Sequence, residues 1–510
     1  GRNTLPDSPV RLSNSRMMAH GDCSTGAVTC VQLKSGQVSG TTSCAQRCHP
    51  WLFLVTRLLL LVISFTNSRA ADNIIAFTGV TLVDAVTATS QPDTVVIIRN
   101  GRISKLGADG QVAIPEGARV IVLRGKWLIP GLIDAHVHFF QSGGLYTRPD
   151  VIDLRHIRPY ELEIAAIRGR LADTLSRYLA CGVTSVVDLA GPRWVYDLRA
   201  LADGSRPSPR VMLSGPGLAA ELPPGLDGRH APALEVRTAD EARAAVRKLA
   251  TRRPDLIKIW FSPSRGMDLE REFHWVSAAI DEAHGLGLRV TAHATQHDIA
   301  GRMVRAGADI LVHSIDDRVI GHDLLEAMRT NGVIYIPTLA VSRRYEEVLG
   351  QRLKLSPYER VMADPDVIAT LEDMAWLYPG RRRPPPVMDH RTAKLNLLRV
   401  QQAGITIAAG SDAGNIGSLH GPGLHHELEL MVDAGLGPAQ VLLAATRGGA
   451  QVMGRSSELG RLEPGMLADL LVLDADPLVN IRNARRIALV VAGGRIVQCN
   501  TDSLTAVCPK

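Results

Sequence analysis

Two histidines, His136 and His138, close an apolar run that begins at Ile129-Pro130-Gly131. Alternate residues of a β-strand project from the same face, so the two imidazoles are predicted to leave one strand end together. Two imidazoles at this spacing can hold one metal ion. The pair alone does not distinguish a metal site from two polar strand-end histidines with a structural role.

Four more ionisable residues lie in, or directly after, other apolar runs. Parallel strands bring their carboxyl ends to one edge, so the six side chains are predicted to converge. Each has a structural alternative: a salt bridge for a buried lysine, a helix cap for an aspartate, or a hydrogen-bonding role for a histidine. Independent structural roles would not place all six at one edge, so the set favours a metal site. The four are Lys258 in Leu256–Phe261, His293 in Arg289–Ala294, His313 in Ile310–Ser314, and Asp412 after Ile405–Ala409.

The elements that must position these residues are apolar strands alternating with amphipathic helical stretches such as Glu161–Leu179 and Asp240–Leu249. This alternation indicates an α/β protein with a parallel sheet covered by helices, and eight such units predict a (β/α)8 TIM-like barrel over residues 129–455. A doubly wound open sheet is the alternative, but no Gly-x-Gly-x-x-Gly follows a first strand. The eight strands are predicted at Leu132–Phe139, Val183–Leu189, Val211–Ser214, Leu256–Phe261, Arg289–Ala294, Ile310–Ser314, Val333–Pro337 and Ile405–Ala409.

Two connections of the predicted barrel are long. They are Gly215–Val236 and Ala340–Gln402, and connections of this length are usually functional lids, interfaces or disordered inserts. On either side of the barrel, residues 72–128 and 456–510 contain short β-runs with turns at Asn100-Gly101 and Gly493-Gly494. Neither segment has enough strands for a sheet of its own. We therefore predict one small β-sandwich domain built from both termini.

The composition is that of a globular protein, with 45% hydrophobic and 21% charged residues. The formal charge of +6 could indicate an anionic partner, but residues 1–71 contain seven basic and only two acidic residues and so account for five of these charges. The rest of the chain is nearly neutral and aromatic residues make up only 4%. Nucleic acid is therefore not an expected partner.

Residues 1–71 are predicted to be a leader that ends in a signal peptide. The apolar run Trp51–Phe65 is short for a membrane span and is followed by small residues, so we expect cleavage near Ala70 or Ala71 and export to the periplasm or the medium, with no stable membrane span afterwards. An uncleaved membrane anchor is the alternative. Cys499 and Cys508 could close a small disulfide loop in an oxidising compartment.

The chain resembles the amidohydrolase superfamily, in particular its imidazolonepropionase-like and metal-dependent prolidase-like members. The resemblance covers about residues 74 to 498. It is carried by Gly101-Arg-Ile, Leu128-Ile-Pro-Gly-Leu-Ile-Asp-Ala-His-Val-His, Ile257-Lys-Ile, Thr291-Ala-His-Ala, Val312-His-Ser, Gly410-Ser-Asp-Ala-Gly, Leu424-His-His-Glu-Leu-Glu-Leu-Met and Gly460-Arg-Leu-Glu-Pro-Gly-Met-Leu-Ala-Asp-Leu-Leu-Val-Leu.

This resemblance implies a hydrolase that cleaves an amide bond with a hydroxide bridging two divalent metals, Zn²⁺ being the best suited. His136, His138 and Asp412 would bind one ion, and His293 and His313 the other. Lys258, carboxylated by CO₂, would bridge both ions, and Asp412 would also move the proton. The imidazolonepropionase branch uses one metal and lacks this lysine, so Lys258 favours the prolidase-like branch.

The substrate that the resemblance implies is a small molecule such as an N-acyl amino acid or a dipeptide. Alternatives on the same centre are a lactone, a cyclic amide or a phosphoester, and an alternative of another class is a non-catalytic scaffold. His230, in the long connection after the third strand, is a candidate substrate contact, and Arg193 and Tyr335 are further candidates. His425-His426-Glu427 is predicted to be structural, or to support the ligands, rather than to form a third metal site. Relatives often form homo-oligomers, but the sequence does not fix the number of subunits.

Overall fold

The computed structural model of the chain describes residues 74–204, 206–226, 228–263, 266–380, 389–501 and 504. The predicted leader and signal peptide, the arginine–proline stretch at 381–386 and Cys508 lie outside the described residues. Among the helices that the structure describes, none combines the length and apolar character that a membrane span requires.

The strands fall into one mixed sheet and two parallel sheets. In chain order they are β1 Ile74–Asp84, β2 Thr89–Arg99, β3 Arg102–Ala108, β4 Arg119–Val122, β5 Trp127–Pro130, β6 Leu132–Val137, β7 Val183–Asp188, β8 Arg210–Leu213, β9 Gly217–Ala219, β10 Ala233–Glu235, β11 Ile257–Ile259, β12 Val290–His293, β13 Ile310–Val312, β14 Ile334–Ile336, β15 Leu470–Leu473, β16 Ile487–Ala492 and β17 Arg495–Cys499.

The helices lie mainly between the parallel strands and after the last of them. They are α1 Tyr160–Ala180, α2 Asp197–Ala202, α3 Ala239–Ala250, α4 Leu269–Gly285, α5 His297–Ala306, α6 His322–Thr330, α7 Leu339–Leu349, α8 Pro357–Met362, α9 Pro365–Leu377, α10 His390–Gln402, α11 Pro422–Asp433, α12 Pro438–Leu443 and α13 Gly449–Val452. A π-helical turn, Ala444–Gly448, joins the last two.

The mixed sheet contains strands from both ends of the described chain, in the order β17-β16-β15-β5-β1-β2-β3, with β4 paired to β1. The two ends meet where β15 runs antiparallel to β5, from Leu470 opposite Pro130 to Leu473 opposite Trp127. Arg210 of β8 then ties this sheet to the parallel strands, because its guanidinium donates to the buried carboxylate of Asp469 over 2.9 Å. The hydrophobic pairing of β5 and β15 therefore brings the termini together directly before β6.

The first strand, β1, is interrupted by a β-bulge. Its register with β2 shifts between Phe77 and Val80. Gly79, with φ +69°, provides the bend that this bulge needs. The Asn100-Gly101 hairpin is confirmed: both residues have positive φ, as a type I′ turn requires.

The parallel strands form a three-stranded sheet, β6-β7-β8, and a six-stranded sheet, β10-β9-β11-β12-β13-β14. Seven of the eight predicted barrel strands coincide with parallel strands. The eighth, Ile405–Ala409, is not a regular strand, although Ile407 makes a parallel bridge to Tyr335 and Ala409 O accepts from Ala135 N over 2.9 Å. The described residues thus form an α/β fold whose parallel strands lie under amphipathic helices, as predicted.

The two long connections contain strands and helices that were not predicted from the sequence. Gly215–Val236 includes the short strands β9 and β10. Ala340–Gln402 includes most of α7 and all of α8, α9 and α10, with a capping box between Ser356 and Glu359 at the start of α8. The second connection is therefore a helical insert, and its buried side chains pack against the loop that follows β6.

Candidate metal centre

The His-x-His pair and Asp412 meet at the carboxyl end of β6. The Nε2 atoms of His136 and His138 are 3.2 Å apart. Asp412 Oδ1 lies 3.0 Å from His138 Nε2 and 3.4 Å from His136 Nε2. One ligand atom from each of the three residues lies within 4.8 Å of the others, so they can hold one cation between them. The strand-end geometry predicted for these two histidines is the geometry observed.

The second pair of histidines lies directly beside the first. His293 is the last residue of β12, and His313 follows β13. The ring centroids of His293 and His313 are 4.3 Å apart, and that of His313 is 5.0 Å from that of His136. Asp412 Oδ2 lies 3.8 Å from His313 Nδ1, so this carboxylate faces both pairs.

Lys258 lies at the centre of β11 and is 3% exposed. Its Nζ has no hydrogen-bond partner among the described residues. Burial lowers the pKa of Lys258 to about 7, although the charge of Asp412 opposes that shift. A buried amine without a partner is costly. A carbamate at this position, flanked by cations, would remove that cost, so the donor set fits the metals that the sequence predicts.

The charges of the centre also suit cations. Burial lowers the pKa values of His136 and His293 well below their usual range and that of His313 to about 3, so these imidazoles are neutral and able to coordinate. Burial alone would raise the pKa of Asp412, but the imidazoles of His136 and His138 hold it well below its usual range. Asp412 is thus a carboxylate among neutral nitrogen donors.

Hydrogen bonds to neighbouring groups orient two of the imidazoles. His138 Nδ1 lies 3.1 Å from the carbonyl oxygen of Ala190, which can only accept, so Nδ1 carries the proton and the lone pair of Nε2 is left for a cation. His313 Nδ1 lies 2.9 Å from the hydroxyl of Thr338. Both arrangements leave Nε2 available for a cation.

The backbone at the centre is unusually rich in left-handed conformations. Ala190, His313, Thr338 and Asp412 have φ values of 104°, 80°, 45° and 53°. They are four of the nine non-glycine residues with positive φ among the described ranges. Such residues are uncommon outside sites where the surrounding structure imposes them. The surrounding fold, and not the intrinsic backbone preference of these four residues, therefore sets their conformation.

Two buried aspartates hold the loops that carry the ligands. Asp134 accepts the backbone N–H of Ser411 over 2.9 Å and its hydroxyl over 2.5 Å, directly before Asp412. Asp188 accepts the backbone N–H of Phe139 over 2.8 Å, directly after His138. Burial raises the pKa of each aspartate to about 7, while these hydrogen bonds oppose the shift.

The centre opens into a cavity of about 270 Å³. His138, Lys258, His293, His313 and Asp412 lie on its wall together with apolar side chains that include Phe140, Leu189, Trp260 and Val341. A cavity of this size suits a small substrate with an apolar portion.

Arg148 also lines this cavity and was not singled out from the sequence. Its side chain is 15% exposed. Asp150 accepts from its Nε and Nη2 over 2.8 and 2.6 Å, while its Nη1 donates to the hydroxyl of Tyr345 over 2.9 Å and contacts Asn415. The one signal in the sequence that points to these two residues is their position. Arg148 lies ten residues after His138, and Asn415 lies three residues after Asp412.

None of the three predicted substrate residues lines the metal cavity. His230 lines a separate cavity with Tyr160 and Arg229, whereas Pro232, two residues further on, lines the metal cavity. Arg193 is exposed at the start of a 3-10 turn, and the hydroxyl of buried Tyr335 accepts from Ile315 N over 3.1 Å. A substrate role for His230 thus stays a prediction without a contact to support it.

The His425-His426-Glu427 segment lies on α11 and its side chains serve different elements. His425 Nε2 donates to the carbonyl oxygen of Cys181 over 2.8 Å. Glu427 accepts backbone N–H groups at the start of α7. The three side chains do not share a ligand position, in keeping with the structural role predicted for them.

Comparisons with known proteins agree with this geometry. The model of the amidohydrolase family matches residues 127–497. An imidazolonepropionase of Aromatoleum aromaticum is 27% identical over 451 residues, which cover 79% of this chain and 92% of that protein. A crystal structure of a prolidase complexed with N-methylphosphonate-L-proline is similar with a TM-score of 0.65 and 24% identity, covering 84% of this chain and 100% of the other. The structure of molinate hydrolase gives a TM-score of 0.61 and 22% identity, covering 84% and 95%. These two structures share the fold.

Proposed function

The chain belongs to the amidohydrolase family, whose members hydrolyse carbon–nitrogen bonds, and we propose that it cleaves the amide bond of an N-acyl amino acid or a dipeptide with the help of two divalent cations. The observation that carries this proposal is the convergence of six groups at one place: five of them line one cavity, and His136 contacts two of those five. One of the five is a buried lysine amine that has no hydrogen-bond partner among the described residues. The presence of a prolidase among the structurally similar proteins supports the same substrate class.

We propose that the two parallel sheets are parts of one closed (β/α)8 barrel. Asp255 N donates to Leu213 O over 3.0 Å, which links the two sheets on one side, and the segment at 405–409 bridges β14 to β6 on the other. One buried cluster contains residues from five of the parallel strands, from Leu256 directly before β11 and from this segment, as the interior of a barrel would. In the mixed sheet, β1–β5 and β15–β16 share a second buried cluster, which supports the predicted β-sandwich.

Each of the six groups has a definite task in this proposal. His136, His138 and Asp412 would hold one cation, and His293 and His313 the other. Lys258 would carry a carbamate that contacts both, and nitrogen and oxygen donors of this kind suit Zn²⁺. Bound cations would lower the pKa of water and polarise the scissile carbonyl. Asp412, a carboxylate facing both pairs of histidines, would accept a proton on Oδ and return it to the leaving amine.

Arg148 supports a substrate that carries a carboxylate. Asp150 holds one edge of the guanidinium and offsets part of its charge, and Tyr345 holds Nη1 at the cavity. These contacts use four of the five N–H groups of the guanidinium, which leaves one Nη2 N–H to donate to a carboxylate. The free carboxylate of an N-acyl amino acid or a dipeptide would thus be bound by Arg148 in the metal cavity, with the apolar side chain against Trp260 or Val341.

We expect Arg148→Lys to raise KM about 10- to 100-fold for substrates with a free carboxylate, with a much smaller change in kcat. Lysine cannot make the fixed bidentate contact with Asp150 and reach Tyr345 at the same time. Steady-state kinetics on an N-acyl amino acid and on its amide measure this effect, since the amide lacks the carboxylate.

The matched control is Arg155→Lys. Arg155 lies seven residues after Arg148, on the exposed surface, and makes a similar bidentate pair with Asp153. This control is expected to keep the wild-type KM. Equal losses on the acid and the amide would show that Arg148 supports the loop but does not bind a carboxylate.

The test of the proposed function is metal analysis combined with a substrate panel. We expect about two equivalents of metal per chain, loss of activity on chelation and recovery when Zn²⁺ is restored. The panel contains N-acyl amino acids, Xaa-Pro dipeptides, lactones, cyclic amides and phosphoesters. A folded protein that binds no metal would contradict the proposal and favour a scaffold, and turnover confined to the last three substrate types would replace the amide substrate.

A further inference from the structure

Glu427 reaches from α11 to the first turn of α7. Its side chain is fully buried, and its two oxygens accept the backbone N–H groups of Leu339 and Ala340 over 3.0 and 2.7 Å. The first N–H groups of a helix have no partner within the helix and must be satisfied from outside. A carboxylate at this end also complements the helix dipole. Glu427 therefore caps α7 from a point about ninety residues further along the chain.

The residue that would ordinarily cap α7 is Thr338, which directly precedes it. A threonine in this position usually accepts an N–H from the first turn through its hydroxyl. Here Thr338 has a left-handed φ of 45° and makes no such bond. Its hydroxyl instead lies 2.9 Å from His313 Nδ1. Capping by Glu427 thus leaves the threonine hydroxyl available to the imidazole.

The backbone and the ring of His313 are held by different partners. Its backbone N–H donates to Ile336 O over 2.8 Å, which fixes the backbone but not the ring. The partner that fixes the ring is the hydroxyl of Thr338. Thr338 is 1% exposed, so water does not compete readily for this bond.

We propose that Glu427 is a positioning residue for His313: by capping α7 it releases Thr338 to orient the imidazole, and it thereby sets the affinity of the second metal position. This inference rests on the proposed function, since it presumes that His313 is a ligand. Outer groups that orient a metal-binding imidazole commonly change metal affinity 10- to 100-fold when removed. Glu427 does not line the metal cavity and touches no substrate, so it is not a catalytic residue.

The test uses the full-length holoenzyme and its Co²⁺-substituted form. Glu427→Gln keeps the shape of the side chain but places an amide donor against one of the two N–H groups. Thr338→Val removes the hydroxyl. We expect each variant to weaken binding of one of the two cations by 10- to 100-fold in competition with a chelator, and to change the visible absorption of the Co²⁺ form.

Two further variants sharpen this result. Thr338→Ser keeps a hydroxyl and is expected to restore both affinity and spectrum. The double variant of Glu427→Gln and Thr338→Val is expected to be no weaker than the worse single variant, because both act on the same imidazole.

The matched control is Glu272→Gln. Glu272 is also a buried glutamate on a helix of the barrel region, and its carboxylate accepts from Trp275 Nε1 over 2.9 Å, remote from α7. Glu272→Gln is expected to lower thermal stability without changing either cation affinity. If Glu427→Gln does not fold, Glu427→Asp takes its place, since it keeps the charge but is too short to reach both N–H groups.

Unchanged cation affinities and an unchanged Co²⁺ spectrum in the Glu427 and Thr338 variants would overturn the inference and leave Glu427 with a capping role only. The wild-type protein separates this failure from a failure of the proposed function. If the wild type binds no metal, the function itself is wrong. If it binds two and the variants bind them equally well, only the positioning role is wrong.

Discussion

Replacing Lys258 with methionine is expected to lower kcat/KM by on the order of 10³-fold, which corresponds to ~4 kcal/mol of transition-state stabilisation. Lys258 shares the cavity wall with His138, His293 and His313, and its amine has no hydrogen-bond partner among the described residues. Without a bridging ligand the metal content should fall from two equivalents towards one. Metal analysis and steady-state kinetics measure both effects.

The same substitution should not harm folding. Methionine fills a similar volume without a buried amine, and replacing an uncompensated buried charge with an apolar group is often neutral or stabilising. We therefore expect the metal-free variant to melt at or above the temperature of the metal-free wild type. A variant that is inactive because it is unfolded would show the opposite.

Lys258→Ala provides a chemical rescue. Short carboxylic acids can enter the space that the side chain leaves and supply the missing carboxylate, so part of the activity should return when they are added. Lys126→Met is the control, because Lys126 pairs with Asp474 over 2.5 Å in the mixed sheet and should be unresponsive to added acid. Full activity of Lys258→Met without any acid would remove the bridging role.

Replacing Asp412 with asparagine is expected to have a larger effect, on the order of 10⁴-fold in kcat, or ~5 kcal/mol. Asparagine keeps the shape but loses the negative charge, so it is a poorer ligand and cannot accept the proton at Oδ. The loss should appear in kcat rather than in KM, because the interaction is needed at the transition state.

Asp474→Asn is the control for this substitution, since Asp474 is a paired carboxylate in the mixed sheet. It should keep wild-type kinetics and metal content. The decisive comparison is at saturating Zn²⁺, where a deficit in affinity is compensated but a missing proton acceptor is not. If Asp412→Asn regains full kcat under that condition, Asp412 is a ligand only.

The strand-end ligands could be predicted because their positions depend on local pattern. His136, His138, His293 and His313 each lie at the carboxyl end of an apolar run, and parallel strands bring those ends together whatever the loops do. Lys258 was recognisable for a similar reason, as an ionisable residue inside an apolar run.

Arg148 and Glu427 could not be predicted because their roles depend on loop geometry. At the cavity, Arg148 contacts Tyr345, which belongs to the helical insert about two hundred residues further along the chain. Glu427 contacts α7 because α11 packs against α7, although nearly ninety residues of chain separate Glu427 from the start of α7. Periodicity gives the direction of a side chain within an element, but it does not give the distance between two elements that are remote in sequence.

The helices of the insert were within reach of the sequence and were missed. Ser356-Pro357-Tyr358-Glu359 has the pattern of a capping box with proline at the first helical position, and Asp364-Pro365 repeats the cap and proline. The length of the connection favoured a lid, an interface or a disordered insert, whereas these local caps predict helices.

The left-handed residues of the centre also bear on how this protein would respond to engineering for heat resistance. A non-glycine residue in this conformation costs roughly 1–2 kcal/mol, so glycine at Ala190 or Thr338 would relieve strain and look favourable to any search guided by stability alone. Yet Ala190 presents the carbonyl that orients His138, and Thr338 presents the hydroxyl that orients His313. A gain in melting temperature at these positions would therefore come with a loss of rigidity in the two imidazoles that are proposed to bind metal. Stabilising substitutions are better sought in the mixed sheet and on the exposed faces of the helices.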